Sequence, residues 1–211
     1  MSSPAVHAPA RNAPREAEAG STRERILGAA LHLFSKKGFE GTSTRAIGAA
    51  AGANIAMIAY HFGDKEGLYR AVLAHTYEAV LDLELPGDLP EAPDERIRAL
   101  IASAYLFGRS QQESVRLIMR HVIEHGSLPP EIREQGTARL FKKTALLVAS
   151  IDLAGVMDRK LELMSLNHLL VRYILSDLAD VSALTGTKDT EEAIIHHLGN
   201  VAVRLLLPHS A

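Results

Sequence analysis

Residues 42–68 decide the fold and read Thr-Ser-Thr-Arg-Ala-Ile-Gly-Ala-Ala-Ala-Gly-Ala-Asn-Ile-Ala-Met-Ile-Ala-Tyr-His-Phe-Gly-Asp-Lys-Glu-Gly-Leu. Ser43 has a side chain suited to a helix N-cap, and Gly52 is the residue type that most often follows a helix end. The pattern therefore predicts a short helix from Thr44 to Ala51. Asn54 is a predicted cap of a second short helix, which would end near Tyr60. Two helices joined by about three residues form a helix-turn-helix.

The residues around this motif predict how it is buried and how the chain leaves it. Ala46, Ile47 and Ala50 would form the small buried face of the first short helix. Phe62 is the predicted core anchor behind the second one. Asp64 is the predicted cap of a longer linker helix, which would run to about Glu84.

A helix-turn-helix predicts DNA binding, because its second helix enters the major groove with its N-terminal residues next to the base edges. An asparagine there can read adenine, and apolar side chains can contact a thymine methyl group. Arg45 can reach a guanine or a phosphate, and a lysine in the first turn of the linker helix adds an anion site. The predicted DNA-binding residues are Ser43, Thr44, Arg45, Asn54, Ile55, Ala56, Met57, Tyr60, His61 and Lys65.

The segment from about Thr22 to Tyr77 resembles the DNA-binding domain of the TetR/AcrR regulators. The resemblance implies a homodimeric transcription factor, usually a repressor, that a small molecule releases from DNA. The chain departs from the family in residues 55–59, which are almost wholly apolar where many members have polar or Gly-Thr residues. We therefore expect methyl and phosphate contacts to matter more than hydrogen bonds to bases. The matching residues are Arg25–Ala30, Leu33-Phe34, Lys37–Ser43, Ile47, Ala50, Gly52-Ala53, Tyr60–Gly63 and Lys65–Tyr69.

Composition predicts an all-α chain, and the family resemblance implies that its N-terminal helix-turn-helix domain is followed by a C-terminal helical ligand-binding and dimerisation domain. The nine prolines leave residues 15–85, 94–128 and 131–207 free of proline, which is very costly inside helices. The absence of cysteine excludes disulfides and thiolate metal sites, and it suits a reducing cytoplasm. No apolar run reaches the roughly 18 residues of a membrane span, and the N-terminus lacks the apolar core of a signal peptide. We expect a cytoplasmic protein without membrane contact.

Charge and proline content predict the domain organisation. Residues 21–76 carry seven Lys or Arg against four Asp or Glu, although the whole chain has a net charge of −2. A basic N-terminal domain (the head) followed by an acidic C-terminal domain (the body) suits DNA binding. Residues 1–20 read as a disordered leader, and the capping box Ser21–Glu24 would open a helix that ends at Gly38. The DNA-binding domain with its linker helix would span 21–84, and the proline-rich break Pro86–Pro93 would begin the body, 85–211.

The body is predicted to hold five helices, at about 94–110, 112–125, 131–153, 158–180 and 190–207. The last two are apolar on a broad face and need partners on two sides. They could lie centrally in one body or form a two-fold four-helix bundle between subunits, and the family resemblance favours the bundle. The predicted dimer residues are Leu163, Leu166, Leu170, Ile174, Ile194, Leu198, Val201 and Leu205.

The resemblance places an effector cavity among the helices from 94 to 154, for an apolar or amphipathic small molecule. Each predicted lining residue can also be ordinary core. His121 and His125 have a spacing that can chelate a metal, but no His-Glu-x-x-His string or third ligand accompanies them, so we predict no metal site and no cofactor. The candidate lining residues are Tyr105, Phe107, Met119, His121, Phe141 and Leu147.

The sequence as a whole predicts a ligand-responsive, DNA-binding transcriptional regulator. Its simplest form is a repressor that a small molecule releases from a palindromic operator. No nucleophile elbow, phosphate loop or metal-binding string supports an enzyme. The alternatives are a helical adaptor without DNA contact, which the apolar second helix allows, and a small helical enzyme.

Overall fold

The computed structural model describes residues 13–84, 86–134, 136 and 160–207, and within these ranges every regular element is a helix. The predicted all-α class is confirmed. A further helical segment covers residues 130–134 and leads out of the described part. The helices are α1 Ala13–Lys37, α2 Thr44–Ala51, α3 Ile55–Phe62, α4 Lys65–Leu81, α5 Pro93–Ser110, α6 Gln112–His125, α7 Lys160–Ile174, α8 Leu178–Thr185 and α9 Thr190–Leu206.

The chain divides into two compact units, and the boundary falls between Leu73 and Ala74, inside α4. The sequence placed this boundary after the linker helix, near Pro86. The difference has a physical reason, because the two ends of α4 have different partners. Leu68 and Val72 are buried residues of the first unit, whereas Val80 packs against an apolar cluster of the second unit.

The core of the first unit forms where α1 meets the short helices. Ile26 and Phe34 of α1, Ile47 of α2 and Ile58 of α3 are fully buried. The Phe34 ring makes an edge contact with Tyr69 of α4, with 5.1 Å between the ring centroids. Burial of large apolar side chains is the main stabilising contribution to such a three-helix unit.

Two predictions for the first unit are wrong. Helix α1 begins at Ala13, so the Ser21–Glu24 capping box lies inside a helix and residues 13–20 are not a disordered leader; residues 1–12 lie outside the described part. Pro14 falls in the first turn, where proline is tolerated, and good helix formers follow it. The buried face of α2 is Ile47, Gly48 and Ala51, while Ala46 and Ala50 are exposed.

The second unit is built on α5 and α9, which pack along each other. Arg98 of α5 donates a hydrogen bond of 2.6 Å to Asn200 of α9. Helix α7 approaches α5 closely at Gly108, where an added Cβ would lie 2.2 Å from Cδ1 of Ile174. Tyr105 and Leu198 are fully buried in the same apolar cluster.

The predicted helix 158–180 is two helices in the structure. Helix α7 ends at Ile174, whose carbonyl accepts hydrogen bonds from Arg109 and Gln112 at 3.0 and 2.9 Å. The Asp177 carboxylate then caps α8 by accepting a hydrogen bond of 2.8 Å from the amide of Ala179. Most of the predicted helix 131–153 lies outside the described residues.

Half of the predicted dimer residues are buried within their own subunit instead. Leu166, Ile174, Ile194 and Leu198 are buried in the two apolar clusters of the second unit, so they are not available to a partner. Helical periodicity does not distinguish a core face from an interface face, which explains the error. Partly buried positions make up the other half, namely Leu163, Leu170, Val201 and Leu205.

Candidate nucleic-acid interface

The turn between α2 and α3 is held by short local hydrogen bonds. The Ser43 hydroxyl accepts one of 3.2 Å from the amide of Ala46, which confirms the predicted cap. Gly52 has a φ of 60°, and the amide of Ala53 donates to the carbonyl of Gly48 at 2.9 Å. A Cβ on Gly48 would lie 2.9 Å from the carbonyl oxygen of Ala53, so both glycines allow this tight turn.

Asn54 caps α3 as predicted, and this limits what its side chain can do on DNA. Its Oδ1 accepts a hydrogen bond of 3.0 Å from the amide of Ala56. Reading adenine with two hydrogen bonds requires both the amide oxygen and the amide nitrogen of an asparagine. While Asn54 caps the helix, only Nδ2 is available to a base edge.

The N-terminal half of α3 is open to solvent, and one residue anchors the helix from below. Asn54 and Ala56 are exposed, Ile55 is 44% exposed, and Met57 is partly exposed. Ile58 is 1% exposed and belongs to the core. The side chains predicted to face base edges therefore lie on the surface, as a recognition helix requires.

The C-terminal end of α3 differs from the prediction. Phe62 is only partly buried, so Ile58 and not Phe62 anchors this helix. The Phe62 ring instead lies under the guanidinium of Arg23, with 5.4 Å between Cζ and the ring centroid. Tyr60 is 77% exposed, as a phosphate contact would require. His61 has its Nε2 buried without a partner among the described residues, which leaves only Nδ1 for a phosphate.

A cleft of about 600 Å³ lies at the N-terminus of α2, and we call it the α2 cleft. Two lysines and a glutamate line it: Lys37 from the end of α1, Lys65 from the start of α4, and Glu40. The Lys65 ammonium lies 4.1 Å from the centroid of the Phe39 ring, a cation–π contact that orients it. Free amides at a helix N-terminus and two ammonium groups favour an anion such as a phosphate. The full lining is Leu33, Lys37, Glu40, Gly41, Thr42, Ser43, Thr44, Ala46 and Lys65.

The start of α4 is fixed in a way that places Lys65. Asp64 caps the helix as predicted, with Oδ1 accepting a hydrogen bond of 2.7 Å from the amide of Gly67. A Cβ on Gly67 would lie 2.1 Å from the carbonyl oxygen of Phe62. Only glycine allows this close approach between the end of α3 and the first turn of α4.

Sequence reasoning missed two residues that support the motif. The buried hydroxyl of Thr42 donates to the carbonyl of Gly38 at 2.8 Å, tying the end of α1 to the start of α2. Arg25 donates from Nε to the carbonyl of Ala51 at 3.2 Å, satisfying one of the unpaired carbonyls at the end of α2. A threonine next to Gly41 was the only sequence feature that hinted at the first role, and nothing local indicated the second.

Arg45 is exposed on α2, and among the described residues it has no hydrogen-bond or ion-pair partner. Its position fits the predicted contact with a base or phosphate. Thr44 is partly exposed at the first position of α2 and lines the α2 cleft.

The candidate effector residues lie in the second unit. Tyr105 is fully buried, and its hydroxyl has no hydrogen-bond partner within the described ranges; burial raises its pKa. His121 is also buried, and burial, followed by the nearby His125, lowers its pKa. Phe107 and Met119 are partly buried, and Phe141 and Leu147 lie outside the described residues.

The two histidines of α6 stack on each other, with ring centroids 4.3 Å apart and planes inclined by 14°. Nδ1 of His125 lies 3.1 Å from the carbonyl oxygen of His121. In the part of the chain that the structure describes, no three His, Cys, Asp or Glu side chains come together as a metal site would need. None of the helices in that part combines the length and apolarity needed to cross a bilayer.

Comparison with known proteins finds a family match for the N-terminal part of the chain. The family model for bacterial regulatory proteins of the tetR family matches residues 26–72, which contain α2 and α3. The probable HTH-type transcriptional regulator YttP of Bacillus subtilis is 27% identical over 155 residues, covering 72% of this chain and 73% of that protein. The HTH-type transcriptional repressor NicS of Pseudomonas putida is 35% identical over 114 residues, which is 53% of each chain. This second match therefore spans only about half the length of the relative.

Solved structures of regulators share the fold over most of the chain. A TetR family transcription regulator from Marinobacter aquaeolei VT8 superposes with a TM-score of 0.68 at 22% identity, covering 92% of this chain and 100% of the other. A regulatory protein in the tetR family from Rhodococcus RHA1 gives a TM-score of 0.63 at 19% identity, with 90% and 98% covered. These relatives are transcriptional regulators and not enzymes. Residues 26–72, in the first unit, therefore match the helix-turn-helix DNA-binding domain of the tetR family, and the relatives of this chain are transcriptional regulators.

Proposed function

We propose that this protein is a repressor that binds a palindromic operator as a homodimer and leaves it when a small molecule binds the second unit. The observation that carries the proposal is that the first unit combines a solvent-exposed start of α3, Asn54 to Met57, with the α2 cleft and its two lysines. The exposed side chains can meet base edges while the cleft binds a backbone phosphate.

Repression is a simpler mode of regulation than activation, because a protein bound to an operator next to a promoter obstructs RNA polymerase. One curated relative, NicS, is named a transcriptional repressor. A two-fold dimer matches a palindrome, with half-sites separated by one or more helical turns of DNA.

The dimer interface is proposed to lie on the exposed face of α7, together with the partly exposed positions of α9. Leu161 and Met164 are one helical turn apart on α7 and are 75% and 53% exposed. Two large apolar residues on one exposed helix face suit a protein–protein contact. Met164→Glu should convert the dimer to a monomer in light scattering after gel filtration. An unchanged mass would exclude this face, and Ala183→Glu, at an exposed position of α8, is the matched control.

The effector is proposed to be amphipathic. Tyr105 lies among apolar residues, yet its hydroxyl and Nε of Arg120 are buried without partners among the described residues. A ligand that offers an acceptor to such donors would recover the cost of leaving them unpaired. Helix α4 contributes residues to both units, so we expect the effector to act on DNA affinity through it. Such coupling is typically about 1–3 kcal/mol, or roughly a 5- to 150-fold change in affinity.

Selection of genomic fragments by the purified protein, followed by footprinting, tests the proposal. We expect one protected palindrome that overlaps a promoter, with protection that is lost when the inducing compound is added. Failure to select any duplex would overturn the DNA-binding role in favour of an adaptor. Protection upstream of the promoter together with increased transcription would overturn repression, and equal affinity with and without the inducer would overturn the release mechanism.

A further inference from the structure

Arg23 is an exposed cation of α1 that the sequence did not assign to any role. It lies over the ring of Phe62, the last residue of α3, with 5.4 Å between its Cζ and the ring centroid. No hydrogen bond or ion pair joins it to another residue in the described ranges. A charged side chain fixed by an aromatic ring, with its N–H donors still available, is well suited to bind an external anion.

We propose that Arg23 binds the DNA backbone at the C-terminal end of the recognition helix, with Phe62 as its positioning residue. This inference rests on the proposed DNA-binding function. Helix α3 has eight residues, so it is about 12 Å long, roughly the width of the major groove. When its exposed N-terminal half faces the bases, its C-terminal end reaches the wall of the groove, where the phosphates lie.

The position of Arg23 separates it from the cationic groups of the α2 cleft. Arg23 and Lys37 lie on the same helix, α1, and are separated by about 21 Å along its axis at the usual helical rise. Arg23 and Lys37 therefore bind different phosphates. Both Arg23 and the cleft residue Lys65 make a cation–π contact, Arg23 with Phe62 and Lys65 with Phe39.

The Phe62 ring strengthens the proposed phosphate contact because it restricts the conformations of the Arg23 side chain. An unrestrained arginine side chain loses much rotamer entropy when it binds a phosphate. The ring restrains the guanidinium before DNA arrives, so part of this cost is already met in the free protein. A cation–π contact at an exposed site corresponds to about a 2- to 5-fold change in affinity for each half-site.

The salt dependence of operator affinity tests the charge of Arg23. With the full-length protein, Arg23→Gln should lower the slope of log K against log salt by about 0.9 for each lost phosphate contact, or about 1.8 for a dimer. Arg204→Gln is the matched control, since Arg204 is an exposed arginine of α9 and the change in net charge is identical. Its slope should equal that of the wild type. Thermal melting of both variants should match the wild type, which excludes a folding defect.

A double-mutant cycle tests the positioning role. Phe62→Leu keeps an apolar side chain and should weaken binding about 2- to 5-fold per half-site when Arg23 is present, and not at all in the Arg23→Gln background. Equal weakening in both backgrounds would overturn the role of Phe62.

Different results would overturn the Arg23 contact and the proposed DNA-binding function. If the wild type binds DNA and Lys65→Gln lowers the salt slope, but Arg23→Gln behaves like Arg204→Gln, only the Arg23 contact is overturned. If the wild type selects no duplex, the proposed function and this inference are both overturned.

Discussion

Lys65 is the residue whose replacement has the most calculable effect on DNA binding. Its ammonium is held 4.1 Å from the centroid of the Phe39 ring and lines the α2 cleft with Lys37, Ser43 and Thr44. Lys65→Gln removes the charge and keeps a polar side chain of similar length. Each phosphate contact contributes about 0.9 to the slope of log K against log salt, so a dimer should lose about 1.8.

The size of the affinity difference follows from the change in salt concentration. Between about 50 and 200 mM salt, a slope difference of about 1.8 makes the wild type lose roughly 12-fold more affinity than the variant. Fluorescence anisotropy with a labelled operator measures this directly, and Lys188→Gln, at an exposed lysine before α9, is the control with the same charge change. Parallel salt plots for wild type and Lys65→Gln would refute the assignment of a phosphate to the α2 cleft.

Four further substitutions test the geometry of the first unit and the titration of His121 in the second unit. Asn54→Asp keeps the α3 cap, so stability in urea should be unchanged, but its negative charge should reduce operator affinity at least about 10-fold; unchanged affinity would mean that this end of α3 does not face DNA. Gly67→Ala forces a Cβ against the carbonyl of Phe62 and should lower the free energy of unfolding by about 1–3 kcal/mol. Gly28→Ala, where a Cβ meets nothing within 4 Å, should raise it by up to about 1 kcal/mol, and equal effects at both sites would contradict the packing. Burial lowers the pKa of His121, so the unfolded chain binds this proton first and wild-type stability should fall as the pH drops below about 6.5; His121→Gln should reduce that fall in urea titrations at pH 7.5 and 5, and identical pH profiles would reject it.

The helix-turn-helix could be predicted because its defining interactions are local. Ser43, Asn54 and Asp64 each cap a helix within three residues of themselves, and all three caps are present. Gly52 adopts the positive φ that the predicted turn required. Such contacts depend on residue type and spacing, which the sequence contains directly.

Buried faces were predicted poorly where the side chains are alike. In α2 the alanines on every side give no contrast in hydrophobicity, so Ala46 and Ala50 were assigned to a face that Gly48 and Ala51 occupy. In α7 and α9 the apolar periodicity was correct, but Leu166 and Leu198 pack inside their own subunit. A pattern of apolar residues predicts that a face is covered and does not say by what.

The remaining site residues depend on contacts distant in sequence. Arg25 bonds to Ala51, and Arg23 lies over Phe62, each across many residues of chain. No spacing rule within a helix predicts such pairs. Both contacts depend on how α1 packs against α2 and α3, which no local sequence pattern specifies.

The most direct test of the account is a crosslink from the exposed start of α3 to DNA bases. A photoreactive residue at position 56, which is exposed in the free protein, should crosslink to bases at two symmetric positions of the selected operator. The same residue at position 184, an exposed site on α8, should not. Crosslinking at neither position, or equally at both, would contradict the assignment of α3 as the recognition helix.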